Sequence, residues 1–205
     1  MRILLAAVAV LALAGCQAEV PGRADSPESG FAVKDGTRLR FRPVLTELPP
    51  GPAVGAPGQW QSTNPAAQEA AARALDCEPG APGAPDSLDG RDDPALPLVG
   101  CDPVTGSRLV LGPAFLSGAD VGWAEAGVDP TTGSSVVNLR FTDAGARTLA
   151  EWTGDNVGKQ LAVVVKSRVL MAPQISAAIL DGATQISGKF TLPEAQQLAR
   201  DIAGA

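Results

Sequence analysis

Three cysteines, Cys16, Cys77 and Cys101, are the residues of this sequence that most readily form covalent bonds through their side chains. The sequence has no histidine, so the commonest general base and the commonest nitrogen ligand of metals are missing. A hydroxyl or thiol nucleophile needs a base beside it, and acid–base catalysis needs two groups with shifted pKa values. The sequence has neither pattern, and we predict no catalytic residue and no cofactor. The chemistry expected of the cysteines is therefore acylation or disulfide formation.

Cys16 follows a segment that has the three parts of a bacterial export signal. Met1 and Arg2 give a positive start, residues 3–12 are apolar throughout, and small residues precede the cysteine. The end of this segment, Leu13-Ala-Gly-Cys, resembles the lipobox of bacterial lipoproteins. The resemblance implies that residues 1–15 are a signal peptide and that the cysteine carries diacylglycerol and palmitate-type acyl chains. Two acyl chains suffice for stable anchoring.

Two other interpretations of this segment stay open, an ordinary signal peptide and a short transmembrane helix. The apolar run is shorter than the ~20 residues that span a bilayer comfortably. The expected location is the extracytoplasmic face of the cell membrane, with a lipid anchor on Cys16.

The charge balance restricts the partners of the protein. The formal net charge is −6, and signal cleavage would remove one more positive charge, that of Arg2. A protein this acidic lacks the basic surface that nucleic acids require, so we expect no nucleic-acid partner. The length beyond residue 15 suits one domain plus loops.

A disulfide between Cys77 and Cys101 is expected, because an even number of cysteines remains in an exported chain. It would close a Pro- and Gly-rich loop, residues 77–101, and stabilise the fold by ~3 kcal/mol in the chain-entropy model. A zinc site is a poor alternative, since two thiols supply half of its usual ligands. A calcium site is also unfavoured, and a solvated loop is expected, because four loop aspartates lack EF-hand spacing: Asp86, Asp89, Asp92 and Asp93.

The remaining sequence alternates between strand-like and helix-like periodicity. Residues 16–35 are polar with two prolines and are interpreted as a flexible tether, and residues 36–205 as the folded domain. The predicted fold class is α+β, a single domain with one mainly antiparallel sheet packed by two or three helices. Strands are predicted at residues 37–45, 108–111, 119–128, 135–141, 161–165, 169–171 and 184–187.

Each predicted helix has a start signal. Asn64 precedes Pro65, which suits an N-cap followed by proline at the first helical position. Thr142 is the expected cap of a helix reaching to about residue 152. Thr191 and Glu194 have capping-box spacing and open the last helix.

Several ordered segments resemble the first periplasmic domain of the protein-export membrane protein SecD, in particular its head subdomain. They comprise Leu111-Gly-Pro, Thr153-Gly-Asp-Asn-Val-Gly-Lys, Leu161-Ala-Val-Val-Val, Met171-Ala-Pro-Gln-Ile, Gln185-Ile-Ser-Gly-Lys-Phe-Thr and Glu194-Ala. The resemblance covers residues 37–202 and implies the SecD periplasmic-head fold. The cysteine pair and Arg40-Phe-Arg-Pro-Val-Leu are similar to longer SecD variants. Two departures from the family are expected: a lipid anchor in place of the flanking transmembrane helices, and Lys166-Ser167 where the family usually has Asp-Gly.

Two surfaces are candidates for partner binding. The first is one face of the predicted strand 37–45, where every second residue is an arginine: Arg38, Arg40 and Arg42. This face could bind anionic lipid or an acidic partner, although a solvated strand face is the more common explanation. Segment 171–180 carries Met171, Ile175 and Ile179 around Ala-Pro and could form an apolar groove for an extended peptide. Core packing is the alternative for this segment.

Three functional hypotheses follow. The favoured one is a lipid-anchored, non-catalytic SecD-like module that binds exported polypeptides or a Sec translocon or envelope partner. The second is a structural envelope-interaction lipoprotein without preprotein capture. The third is a solute-binding lipoprotein or an enzyme, for which a closed pocket with converging polar groups would be expected.

Overall fold

The computed structural model describes residues 30–34, 36, 38–56, 58–78, 88 and 90–205. Cys16 lies outside the described residues, as do the predicted signal peptide and the first part of the predicted tether. Within the described residues, ten strands and three α-helices form an α+β fold, which confirms the predicted class. In chain order they are β1 Gly30–Ala32, β2 Leu39–Leu48, α1 Pro65–Arg73, β3 Leu98–Cys101, β4 Arg108–Leu111, β5 Leu116–Ser117, β6 Val121–Val128, β7 Ser135–Phe141, α2 Asp143–Asp155, β8 Leu161–Val165, β9 Arg168–Met171, β10 Ala183–Ser187 and α3 Leu192–Ala203.

The strands form two antiparallel sheets instead of the one predicted. The first has the order β1-β6-β7-β10, and the second has the order β3-β4-β2-β8-β9, with β5 paired to β2. Strand β2 is central in the second sheet because its ten residues are long enough to pair with β8 near its start and β4 near its end. A register shift between Val44 and Thr46 separates the two pairings. The two-sheet arrangement corrects the single-sheet prediction.

The main core lies where one face of β2 and β8 meets the first sheet and helices α2 and α3. Leu39 and Phe41 of β2 and Val163 of β8 point into it, as the period-two pattern requires. The opposite face of the second sheet is covered as well. Leu98, Leu109, Leu111, Ala162 and Val164 form a second cluster there, and α1 packs against β3 and β4 in a third.

The predicted helix starts are confirmed. The Asn64 side chain accepts hydrogen bonds from the backbone N–H groups of Ala66 and Ala67, at 2.9 and 3.3 Å. The Thr142 hydroxyl accepts from the N–H of Gly145 at 3.2 Å. Each cap satisfies donors that a helix start leaves without an intrahelical partner.

The predicted tether extends too far into the fold. Strand β1, Gly30–Ala32, lies within the predicted tether and pairs with β6. The N–H of Lys34 also donates to the carbonyl of Ala203 at 3.0 Å. The ordered fold therefore includes residues before the predicted boundary at residue 36.

Candidate binding site

An apolar cavity of about 260 Å³ lies beneath segment 171–180. Its walls come from β2, α2, β8, β9 and β10, so distant parts of the chain build it. None of the lining residues is ionisable: Phe41, Leu149, Leu161, Val163, Met171, Pro173, Gln174, Ile175, Ser176, Ala177, Ile179, Thr184 and Gln185. The cavity is suited to binding an apolar group and carries no acid–base pair of its own.

The structure brings the three predicted residues of segment 171–180 together at this cavity. Ile175 is 6% exposed and belongs to the main core, whereas Met171 and Ile179 are half-buried. Leu180 follows Ile179 in sequence, does not line the cavity and is 78% exposed. Ile175 is therefore a core residue as well as a lining residue, and the accessible part of the segment is around Met171, Ile179 and Leu180.

Hydrogen bonds hold the segment in place. The N–H of Ile175 donates to the carbonyl of Lys159, and the N–H of Gly158 donates to the carbonyl of Ile175, both at 2.8 Å. The hydroxyl of Thr153 accepts from the N–H of Ile179 at 2.9 Å. These bonds satisfy backbone groups that would otherwise be exposed beside an apolar surface, and they fix the shape of the cavity.

The cavity lies beside two sheet edges. Strand β9 pairs with β8 and is the last strand of the second sheet, and β10 pairs with β7 and is the last strand of the first. In the described chain, neither has a second strand partner. An edge strand offers unpaired N–H and C=O groups to an extended peptide, and an adjoining pocket can accept the peptide's side chains.

The predicted face of three arginines is wrong for two of them. Arg38 is exposed, and its guanidinium lies 4.0 Å from the carboxylate of Asp201. Arg40 is 8% exposed and Arg42 is fully buried. The period-two pattern placed all three on one strand face, but the second cluster and the loop before β3 cover that face. These arginines do not form a continuous exposed surface.

Arg42 instead anchors the loop before β3. One terminal nitrogen donates to the carboxylate of Asp92 at 2.7 Å and to the carbonyl of Asp93 at 3.1 Å. The other donates to the carbonyls of Leu96 and Gly112 at 2.7 and 2.9 Å. Burial lowers the pKa of Arg42, because desolvation penalises its charged form more than the Asp92 carboxylate favours it. The guanidinium of Arg42 and the carboxylate of Asp92 remain within hydrogen-bond distance of each other, and this ion pair holds Asp92 in place.

The prediction of a solvated aspartate loop is therefore wrong at Asp92, which is 5% exposed. Asp86 and Asp89 lie outside the described residues. Among the residues that are described, no group of three or more cysteine, aspartate and glutamate side chains is placed to hold a metal ion.

A two-residue turn between β8 and β9 completes the buried network. Lys166 and Ser167 have φ values of 50° and 64°, in the left-handed region that usually requires glycine or asparagine. The Ser167 hydroxyl donates to the second carboxylate oxygen of Asp92 at 2.8 Å and accepts from the N–H of Gly90 at 3.0 Å. Sequence reasoning identified the turn but missed this contact. A serine at a turn position where the family usually has glycine was the signal in the sequence that its side chain makes a specific contact.

A disulfide joins Cys77 and Cys101, whose Cα atoms are 5.4 Å apart. Both residues belong to the cluster that packs α1 against β3 and β4. The described helices include none that is long and apolar enough to cross a membrane.

Comparison with known proteins gives one consistent family. Residues 99–205 match the sequence model of the SecDF P1 head subdomain. The protein translocase subunit SecD of Mycobacterium tuberculosis is 41% identical over 117 residues, which are 56% of this chain and 20% of that protein. The protein translocase subunit SecDF of Thermus thermophilus is 43% identical over 89 residues, 43% of this chain and 12% of that protein. The chain thus spans about a fifth or less of the length of these relatives.

Solved structures of SecDF are also similar. The crystal structure of its super-membrane-facing form is 31% identical, has a TM-score of 0.49, and is matched over 83% of this chain and 19% of that chain. A structure of SecDF described as a membrane component that enhances protein export is 30% identical with a TM-score of 0.48. That match covers 83% of this chain and 64% of the other.

Proposed function

Since the chain belongs to the family of the SecDF P1 head subdomain, we propose that it is a lipid-anchored, extracytoplasmic module that binds extended apolar segments of exported polypeptides and catalyses nothing. The observation that carries this proposal is the apolar cavity between the edge strands β9 and β10. The names of the relatives, protein translocase subunits, support an exported polypeptide as the ligand class.

The mechanism follows from the shape of the site. An extended peptide alternates its side chains, so one apolar side chain can enter the cavity while its backbone pairs with the free edge of β10. Met171 and Ile179 would contact the inserted side chain, and Leu180 would cover it from outside. None of the lining residues is charged, so the site would not select for a charged side chain of the peptide. We therefore expect it to accept many apolar sequences with low affinity.

The lipid anchor is the second part of the proposal. It rests on the lipobox resemblance at Cys16, and two acyl chains would hold the module at the membrane surface. There the module would meet polypeptides leaving a translocon, or another component of that machinery.

A peptide-binding measurement tests the cavity directly. The probe is a fluorescent 12-residue peptide in which leucine and serine alternate, and aspartate replaces leucine in the control peptide. We expect the full chain in neutral detergent to bind the leucine peptide at micromolar to millimolar concentration, and Leu180→Ser or Met171→Ser to weaken binding about fivefold or more. Val104→Ser is the matched control, since Val104 is 73% exposed but does not line the cavity.

Ile175→Ser is not a suitable test, because Ile175 is part of the core and its loss would unfold the site. Absence of binding to the leucine peptide up to millimolar concentration, or equal loss with Val104→Ser, would contradict the capture proposal. A structural envelope-interaction role would then replace it.

A further inference from the structure

We propose that a second pocket, lined by Lys34 and Arg40, binds a phosphate group. It has a volume of about 390 Å³ and lies apart from the apolar cavity, with which it shares no lining residue. The other lining residues are Val33, Gly36, Pro94, Ser117 and Ala119. Within the described part of the chain, two cations and no carboxylate therefore line this pocket. The inference does not depend on peptide capture.

The bonding of Arg40 is the first argument. Its guanidinium donates from Nη1 to the carbonyls of Leu39 at 2.9 Å and Gly36 at 3.4 Å. Its buried Nε has no hydrogen-bond partner in the described structure. Burying a guanidinium without a charged partner is costly, because the charge loses its hydration. An anion in the pocket would remove this cost.

The other two buried arginines on β2 and β4 show how this fold usually satisfies such groups. The Nε of Arg42 also has no partner in the described structure, but its two terminal nitrogens donate to the Asp92 carboxylate and to three carbonyls. Arg108 donates to the carbonyls of Leu75, Pro49, Gly51 and Pro52. Arg40 is less than one tenth exposed like them, but it donates to only two carbonyls, and neither it nor Lys34 forms a salt bridge with any described residue. Arg108 forms no such salt bridge either, but four carbonyls accept from it. The difference points to a partner from outside the chain.

The chemistry favours an oxyanion. A guanidinium can donate two parallel hydrogen bonds to phosphate oxygens, and a nearby ammonium adds a second charge-assisted bond. The volume exceeds that of phosphate alone, so a phosphate ester also fits. Lys34 is about 18 residues from Cys16, at most about 60 Å of extended chain, so a lipid phosphate at the membrane surface is within reach of the pocket.

The test uses the full chain in neutral detergent and follows the Nε–H resonance of Arg40 by NMR. Three probes are titrated: inorganic phosphate, dihexanoyl phosphatidylglycerol, and zwitterionic dihexanoyl phosphatidylcholine as the control lipid. We expect a saturable shift below about 10 mM with at least one of the two anions. A response to phosphate assigns a free anion, and a response to phosphatidylglycerol alone assigns a lipid headgroup.

Variants at exposed positions separate a site from general electrostatics. Lys34→Gln should weaken binding about tenfold, and Ala119→Glu should abolish it by placing a carboxylate in the pocket. Arg147→Gln, which removes an exposed charge from α2, should change nothing. No saturable response in the native protein, or equal weakening by Arg147→Gln, would overturn the proposal. Asp35 lies outside the described residues, and Asp35→Asn tests whether its carboxylate is the anion of this pocket. Phosphate binding by Asp35→Asn but not by the native protein would also overturn the proposal, because the native pocket would then be occupied by that carboxylate.

Discussion

Arg42 of β2 and Asp92 of the loop before β3 form an ion pair at 2.7 Å in which the two side chains are 0% and 3% exposed. The pair joins residues 50 positions apart in sequence. It ties the Pro- and Gly-rich region before β3 to the centre of the second sheet. Because the arginine also donates to the carbonyls of Asp93 and Leu96, one guanidinium holds residues 92–96 against the sheet.

Replacing Asp92 with asparagine should destabilise the fold by about 3–5 kcal/mol, because it leaves a buried guanidinium without its counter-ion. Urea unfolding followed by circular dichroism measures the change. Asp93→Asn is the matched control, since that side chain is exposed and should cost less than about 1 kcal/mol. A loss below 1 kcal/mol for Asp92→Asn would mean that the pair does not hold the loop.

The turn between β8 and β9 offers two substitutions with opposite outcomes. Lys166→Asn should stabilise the protein by about 0.5–1 kcal/mol, because asparagine tolerates positive φ, while the lost Lys166–Asp201 contact is partly exposed and contributes little. Ser167→Gly should destabilise by about 1 kcal/mol or more despite the same backbone relief, since the Asp92 carboxylate loses its hydroxyl donor. Thermal unfolding of the two variants checks both signs, and a stabilising Ser167→Gly would show that the hydroxyl contributes nothing.

Removing the disulfide with Cys77→Ser and Cys101→Ser together should lower stability by about 2–4 kcal/mol. The two sulfurs also pack in the cluster around α1, so the loss combines a longer free loop with weaker packing. Urea unfolding of the oxidised, reduced and double-serine proteins measures it. Thiol titration of the unreduced protein should detect neither cysteine, and two reactive thiols would show that the bond does not form.

The lipid anchor is tested at Cys16. We expect Cys16→Ser to block processing or to release the protein from the membrane fraction. The readouts are fractionation of cells and intact mass of the purified chain. A Cys16→Ser protein that is processed and stays in the membrane fraction like the native one would contradict the anchor.

The capping box of α3 should make stability depend on pH. The Glu194 carboxylate accepts from the N–H and hydroxyl of Thr191, both at 2.7 Å, and these bonds lower its pKa. A carboxyl pKa that is lower in the folded state adds stability above its unfolded value, about 4.3, and loses it as pH falls through the folded value. Glu194→Ala should therefore lower the melting temperature at pH 7 and have less effect near pH 3. Glu151→Ala, an exposed glutamate of α2, should show no such convergence.

The parts of the fold that depend on local chemistry could be predicted from sequence. Asn64, Thr142 and Thr191 mark helix starts because capping involves residues two or three positions apart. The alternation in β2 correctly placed Leu39 and Phe41 in the core. It could not show that the arginine face is also covered, because the covering residues come from β3, β4 and the loop before them.

The candidate site was predictable only in part. Segment 171–180 was identified from its own apolar residues, but Phe41 and Leu149 line the same cavity from β2 and α2. Strand β1 was missed since three residues carry too little pattern and are defined by pairing with β6. The Lys34 and Arg40 pocket depends on burial, which no alternating pattern specifies.

The hydrogen bond from Lys34 to Ala203 has a consequence for engineering the molecule. It places residue 34, just after the first strand, beside residue 203 at the end of the last helix, so a linker from residue 205 back to the start of the first strand would make the folded part of the chain circular. New ends could then be opened at Gly133, the turn of the β6–β7 hairpin, where an added side chain would meet nothing within 4 Å. Such a permuted chain would keep both sheets, and its new ends would lie at the β6–β7 turn. A surface attached at that turn would meet the apolar cavity in a different orientation from a surface attached before β1.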